Sequence, residues 1–193
     1  MALSARFSDA LAYASQLHAE QRRKGSDVPY IAHLLAVTAI ALEHGADEDE
    51  AIAAVLHDAV EDQGGAAIRA EIRDRFGKRV ADIVDACTDS DTNPKPPWRE
   101  RKERHLAHLA TADHSARLVS AADKLHNVRS LIQDYRTHGE ALWQRFNGGR
   151  EGTLWYYRAV VDALDSVHHA QLIEALACEV RELERVVERR GQV

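Results

Sequence analysis

Between Ala116 and Asp134 the chain is apolar on nearly every side that a helix would present. Leu118, Val119, Ala121, Ala122, Leu125, Val128, Leu131 and Ile132 leave no polar stripe wide enough to meet water. A helix of that kind is buried all round, so other elements must jacket it. The rest of the chain supplies more helices: Ala, Leu, Glu and Arg dominate, and no segment alternates apolar and polar residues as a half-buried strand does. The pattern predicts an all-α fold, and 193 residues suffice for a single compact domain with a real core.

Glycine and proline punctuate the helical pattern. Residues Ser8–Arg23 predict a first helix with a basic last turn, Gln21-Arg22-Arg23-Lys24, closed by Gly25. Tyr30–His44 follows, opened by Pro29 and ended by Gly45, with Leu34, Val37, Ile40, Ala41 and His33 facing inward. The third helix, Asp49–Asp62, is stopped by Gly64-Gly65. Ala66–Phe76, Val80–Thr88, Arg99–Leu109, the central Ala116–Asp134, the aromatic-rich Leu154–Leu164 and Ser166–Arg190 complete the series. Asp89–Pro97 holds three of the four prolines. It reads as a loop and not a domain linker, because the helices on both sides need the same core.

A net charge of −6 argues against a general nucleic-acid binder. No apolar run approaches the ~20 residues of a membrane span, and Met1–Phe7 lacks the apolar region of a signal peptide. Cys87 and Cys178 fit no disulfide framework or thiolate zinc site, which suits a reducing cytoplasm.

The chemistry concentrates in Ala54–Asp62. On a helix, His57, Asp58, Glu61 and Asp62 fall within an arc of roughly 140°, opposite Ile52, Val55, Leu56, Ala59 and Val60. So much negative charge calls for a cation. His33, His57, Asp58 and Asp123 each interrupt an apolar helix, where a polar side chain is costly unless paired. Two imidazoles and two carboxylates suit manganese, iron, zinc or cobalt. Glu61 and Asp62 spread too far round the helix to be ligands as well; their use is acid–base work on water beside the metal. Taken singly, each residue has a plainer reading: a satisfied core histidine at His33, an arginine partner at Asp123, a solvated helix end at Glu61-Asp62. Arg22, Arg23 and Lys24, and again Lys95, Arg101 and Lys102, suit a polyphosphate, and an arginine plane can stack on a base; dipole-complementing surface charge explains them equally well.

The order His33…His57-Asp58…Asp123 resembles the HD metal-dependent phosphohydrolases. Four motifs, His18-Ala-Glu-Gln-Arg-Arg-Lys24, Pro29-Tyr-Ile-Ala-His33, Leu56-His-Asp-Ala-Val-Glu-Asp62 and Ala122-Asp-Lys-Leu-His-Asn127, resemble more closely the hydrolase domain of the RelA/SpoT family. Phe76-Gly77, Thr88-Asp89 and Glu100-Arg101-Lys102 extend the likeness over roughly residues 7–165, leaving 166–193 as a C-terminal helix. The resemblance implies a single HD-type domain of roughly ten helices over residues 1–193, of the stand-alone small alarmone hydrolase kind. It implies removal of the 3′-pyrophosphate of guanosine tetra- or pentaphosphate. One metal, usually manganese, would be held by His33, His57, Asp58 and Asp123. Glu61 and Asp62 would orient and deprotonate water, and Arg23 would stack on guanine with Lys24 nearby. Asn127 would contact the ribose, and Lys95, Arg101 and Lys102 would neutralise phosphates. The chain departs from the family at Leu34, where Pro is usual, and at Gln63, where Thr is usual, so another nucleotide such as NADPH stays open as substrate. A nucleotide-binding regulator without turnover is the third reading.

Overall fold

His114–His138 forms α8, the central helix that the apolar pattern demands. Asp113 caps it, its carboxylate accepting from the Ala116 N–H at 2.8 Å. The structure, a computed structural model, describes residues 2–89, 94, 96–164 and 168–190. Before α8 come α1 (Ala5–Leu17), α2 (Ile31–Glu43), α3 (Glu48–Leu56), α4 (Ala59–Gln63), α5 (Ala66–Phe76), α6 (Lys78–Cys87) and α7 (Trp98–Leu109). After it come a 3-10 helix (Gly139–Arg145), α9 (Gly149–Leu164) and α10 (Ala170–Arg190). Among the described residues there is no strand, and one isolated bridge pairs Arg22 with Pro29.

Helices α2, α3, α6, α9 and α10 all pack on α8, and Leu118, Val119, Leu125 and Val128 at their meeting point are buried. One apolar cluster runs from Ala10 on α1 to Val187 on α10. Helix α3 is fixed at its start by a reciprocal capping box: the Glu50 N–H donates to Asp47 at 2.9 Å, and the Asp47 N–H to Glu50 at 2.7 Å. Helix α7 is pinned at its first residue. Trp98 lies so close to the start of α9 that a Cβ on Gly148 would sit 2.6 Å from its ring, and one on Gly152 3.1 Å away.

Two boundaries differ from the sequence expectation in ways that matter for the site. The first helix ends at Leu17, not Arg23. His18 turns inward and stacks on Tyr30, ring centroids 5.3 Å apart. The chain then doubles back, with Arg23 N–H donating to Val28 O at 2.8 Å and Tyr30 N–H to Gln21 O at 3.0 Å. Arg22, Arg23 and Lys24 therefore sit on a folded loop, where tertiary hydrogen bonds override a good helix propensity. The expected helix 49–62 is broken at His57-Asp58. Asp58 has φ −95° and ψ −4°, a turn-like conformation. His57 Nδ1–H donates to Ala54 O at 2.8 Å, the carbonyl that an unbroken helix would pair with the Asp58 N–H. The other helices begin up to five residues from their expected starts, α9 gaining a turn and more at its front, and the 3-10 helix was not foreseen. Gly65, at φ 55° and ψ −127°, ends α4 in a conformation that only glycine adopts readily, its N–H bonded to Val60 O.

Candidate active site

Three separate parts of the fold aim four side chains at one point. His33 comes from the first turn of α2, His57 and Asp58 from the α3–α4 break, and Asp123 from the middle of α8. His57 Nε2 lies 3.0 Å from Asp58 Oδ2 and 3.7 Å from Asp123 Oδ1; His33 Nε2 lies 3.5 Å and 3.2 Å from the same two atoms. Ligand atoms of His33, His57 and Asp58 all fall within 4.8 Å of one another. His33 and His57 are 1% and 2% exposed, so these are interior groups.

The donor set fits a divalent ion. With Nδ1–H donating to Ala54 O, His57 turns its buried Nε2 toward the carboxylates, and that is the atom that would meet an ion. His33 Nδ1 meets His126 Nδ1 at 2.8 Å. With the shared proton on His33, its Nε2 lone pair also faces the carboxylates. Burial, then His33 and Arg23, push His126 down to about 4, which keeps that ring neutral. Burial pulls His57 down as well, but Asp58 and Asp123 outweigh it and hold the imidazole well above its ordinary value, so an ion entering the cluster would displace the Nε2 proton. Two carboxylates gathered on the same pair of imidazoles demand positive charge, and a divalent ion answers that demand from two nitrogens and two oxygens.

Each carboxylate is held by further donors. Tyr30 O–H donates to Asp58 Oδ2 at 2.6 Å. Lys124 Nζ donates to Asp123 Oδ2, and Asn127 Nδ2 to Asp123 Oδ1. Burial raises the pKa of both carboxyls; His57 beside Asp58 and Lys124 beside Asp123 reverse that and hold both well below the usual range. Burial likewise lowers Lys124, and Asp123 more than restores it.

A cleft of about 200 Å³ opens beside the cluster, lined by Asp58, Asp123, Glu61, Asp62, Asp89, Lys102 and Lys124. Glu61 and Asp62 thus share the cleft with the metal-ligand candidates, one turn away on α4. A second chamber of about 430 Å³ is lined by Lys24, Val28, His126, Phe146 and Tyr157 among others. Arg23, Tyr30 and Asn127 line both chambers. Arg23 donates to Asn127 Oδ1 at 2.8 Å, and its guanidinium carbon lies 5.7 Å from the Tyr30 ring centroid. Lys24 Nζ sits 5.6 Å from the Phe146 ring centroid in the larger chamber. Arg101 and Lys102 both bond Asp89, and Arg101 Nη1 also lies 3.9 Å from Glu61 Oε1. Lys95 lies outside the described residues.

Tyr30, Lys124, His126 and Asp89 stand within the sequence motifs with no task that the sequence alone assigns them. A phenol three residues before an inward histidine, and a lysine beside a buried aspartate, were the available signals. Which atom each would reach depended on helices far apart in the chain.

A match to the HD domain family spans residues 10–154. The guanosine-3′,5′-bis(diphosphate) 3′-pyrophosphohydrolase MESH1 of Xenopus tropicalis is 40% identical over 126 residues, 64% of this chain and 68% of that protein. MESH1 of Drosophila melanogaster is 36% identical over 131 residues, 66% of this chain and 70% of its own. The solved structure of a metazoan orthologue of SpoT that hydrolyses ppGpp superposes with a TM-score of 0.77 and 28% identity, covering 100% of this chain and 99% of that one. The paired His57-Asp58 at the heart of the cleft thus sits inside a match that reaches from α1 into α9, and the chain belongs to the HD domain family.

Proposed function

We propose that this chain is a manganese-dependent 3′-pyrophosphohydrolase of guanosine tetra- and pentaphosphate, working in the cytoplasm and yielding pyrophosphate with GDP or GTP. The observation that carries the reading is the meeting of two unlike chambers at Arg23, Tyr30 and Asn127. The larger has the aromatic walls and the guanidinium plane that a purine stacks on. The smaller has the carboxylates and the cations that hydrolysis of a phosphate ester needs. The MESH1 relatives support the choice of substrate.

In this reading the base lies along Arg23, with Lys24 near the ring, and Asn127 holds the ribose at the junction. The 3′-pyrophosphate then enters the smaller chamber, where Lys102 and Lys124 offset its charge and Arg101 adds its field from behind Asp89. His33, His57, Asp58 and Asp123 would hold the ion, which supplies Lewis acidity and a lowered pKa for the neighbouring water. Asp62 and Glu61 orient that water and take its proton. Its oxygen bonds to the phosphorus attached to the 3′-oxygen; the 3′-oxygen leaves with the electron pair of the broken bond and picks up a proton. The cations are fixed before reaction, so the charge that builds in the transition state is met without reorganisation.

The test is to incubate purified protein and Mn²⁺ with guanosine tetraphosphate, following pyrophosphate and GDP, with NADPH in parallel. Pyrophosphate release that Asp58→Ala or Asp123→Ala abolishes is the expected result. Metal binding without pyrophosphate release, or phosphate release from NADPH alone, overturns the substrate assignment. Full turnover by Asp123→Ala overturns the ligand set.

A further inference from the structure

Gln63, at the end of α4, closes a hydrogen-bonded line that runs to Asp62. Gln21 Nε2 lies 2.8 Å from Asp62 Oδ2. An ionised carboxylate only accepts, so the end of Gln21 facing Asp62 must be its NH₂. Its oxygen therefore points the other way and needs donors. Two are present: His18 Nδ1 at 2.6 Å and Gln63 Nε2 at 2.5 Å. His18 is 2% exposed, and its stacking on Tyr30 fixes the ring. Gln63 is the last residue of α4, one position after Asp62. The side chain of Gln63 thus loops from the acid–base helix to Gln21, and Gln21 returns to the neighbouring carboxylate.

We propose that Gln63 is a positioning residue for Asp62, acting through Gln21. By occupying the Gln21 oxygen, it holds the amide with its NH₂ toward the carboxylate. A threonine hydroxyl stands two bonds nearer the backbone than the Gln63 amide nitrogen, so the link depends on the longer side chain found here. The consequence for reaction is narrow. Gln63 itself lines neither chamber, so substrate does not contact it; what depends on it is the orientation of Asp62 toward water.

The inference rests on the reading that Asp62 works on water, and two measurements separate the two. Gln63→Glu keeps shape but presents acceptors to the Gln21 oxygen. The new carboxylate then competes with Asp62 for the Gln21 NH₂, and the hold on Asp62 loosens even while His18 still donates to the amide oxygen. The variant is expected to lose about tenfold in kcat, which is ~1.4 kcal/mol, with KM for guanosine tetraphosphate within twofold of the parent. Gln63→Leu should lose less, because it removes a donor without opposing the oxygen. On a Gln21→Ala background neither change should alter kcat further. A residue that only packs would lower Tm in Gln63→Leu and leave kcat equal in Gln63→Glu; that outcome overturns the proposal. The second measurement needs no turnover. With ¹⁵N-labelled glutamine, the Gln21 side-chain NH₂ resonances should shift, and exchange faster with solvent, in Gln63→Glu. Unchanged Gln21 signals overturn the proposal whatever the substrate. Shifted signals in a protein inactive on guanosine tetraphosphate uphold the link and count against the substrate reading alone.

Discussion

Replacing Tyr30 by phenylalanine removes one oxygen and nothing else from the wall of the cluster. That oxygen donates to Asp58 Oδ2 at 2.6 Å. Burial and the charge of Asp58 hold its own proton firmly in place, far above the ordinary phenol range. Hydrogen bonds to charged groups are worth about 1.5–3 kcal/mol. Asp58 is 22% exposed in its side chain, so water can replace part of the loss, and the lower half of that range applies. At 1.4 kcal/mol per factor of ten, Mn²⁺ should bind roughly 12- to 40-fold more weakly, in line with the usual cost of losing a group that holds a metal ligand. Donation also draws some charge from the carboxylate, which acts the other way. Orientation wins, because an untethered Asp58 must give up rotational freedom on binding. The ring itself stays, with its stacking on His18 and its contact to Arg23. KM for the nucleotide at saturating metal should therefore move less than twofold. Calorimetric titration of metal-free protein with Mn²⁺ reads the first effect, and steady-state kinetics the second. Metal affinity equal to the parent's would refute the role of the hydroxyl.

The remaining predictions concern stability. Lys124→Met strands the buried Asp123 carboxylate without its cation; metal-free protein should lose about 3 kcal/mol, and Mn²⁺ should restore part of the lost Tm, whereas equal destabilisation with and without metal would show that only packing was lost. Gly148→Ala drives a Cβ to 2.6 Å from Trp98, and because a ring cannot yield as a flexible chain does, unfolding in denaturant should show a loss of about 1–3 kcal/mol. Burial and then Lys124 push His105 down to about 3, against about 6.5 in the unfolded chain. As pH falls below 6.5 the unfolded state takes the proton first, so stability present above that pH drains away toward pH 3. His105→Gln should flatten the fall in Tm between pH 6.5 and 4.5, above the carboxylate range, and an unchanged slope contradicts the assignment.

Most of the helices were legible because their signals are local. Helix α5 runs from Ala66 to Phe76 as its periodicity and Gly77 require, and α7 begins one residue from its expected start. The fully apolar stretch around Leu125 is the centre of the fold for the reason its pattern gives. Where the local reading failed, a long-range contact had overruled it. Ala19-Glu20-Gln21-Arg22-Arg23 is good helical sequence, yet His18 stacks on Tyr30 and Gln21 reaches Asp62, so the helix stops. The Asp49–Asp62 pattern is continuous, yet His57 and Asp58 leave it to face His33 and Asp123.

The types of residue needed for a mixed nitrogen–oxygen metal site, and the acidic pair that follows it, can be read from the sequence, because residue identity sets donor chemistry. Geometry could not be read there. That His33 Nε2 and His57 Nε2 each lie 3.0–3.7 Å from oxygens of Asp58 and Asp123 follows from how α2, the α3–α4 break and α8 pack. Tertiary structure alone decided that Arg23 joins two chambers from a loop and that Tyr30 and Lys124 tether the carboxylates. It also brought Gln63 to Gln21. Each of those facts is a distance between residues remote in sequence or turned by the fold, and a one-dimensional pattern carries no such distance.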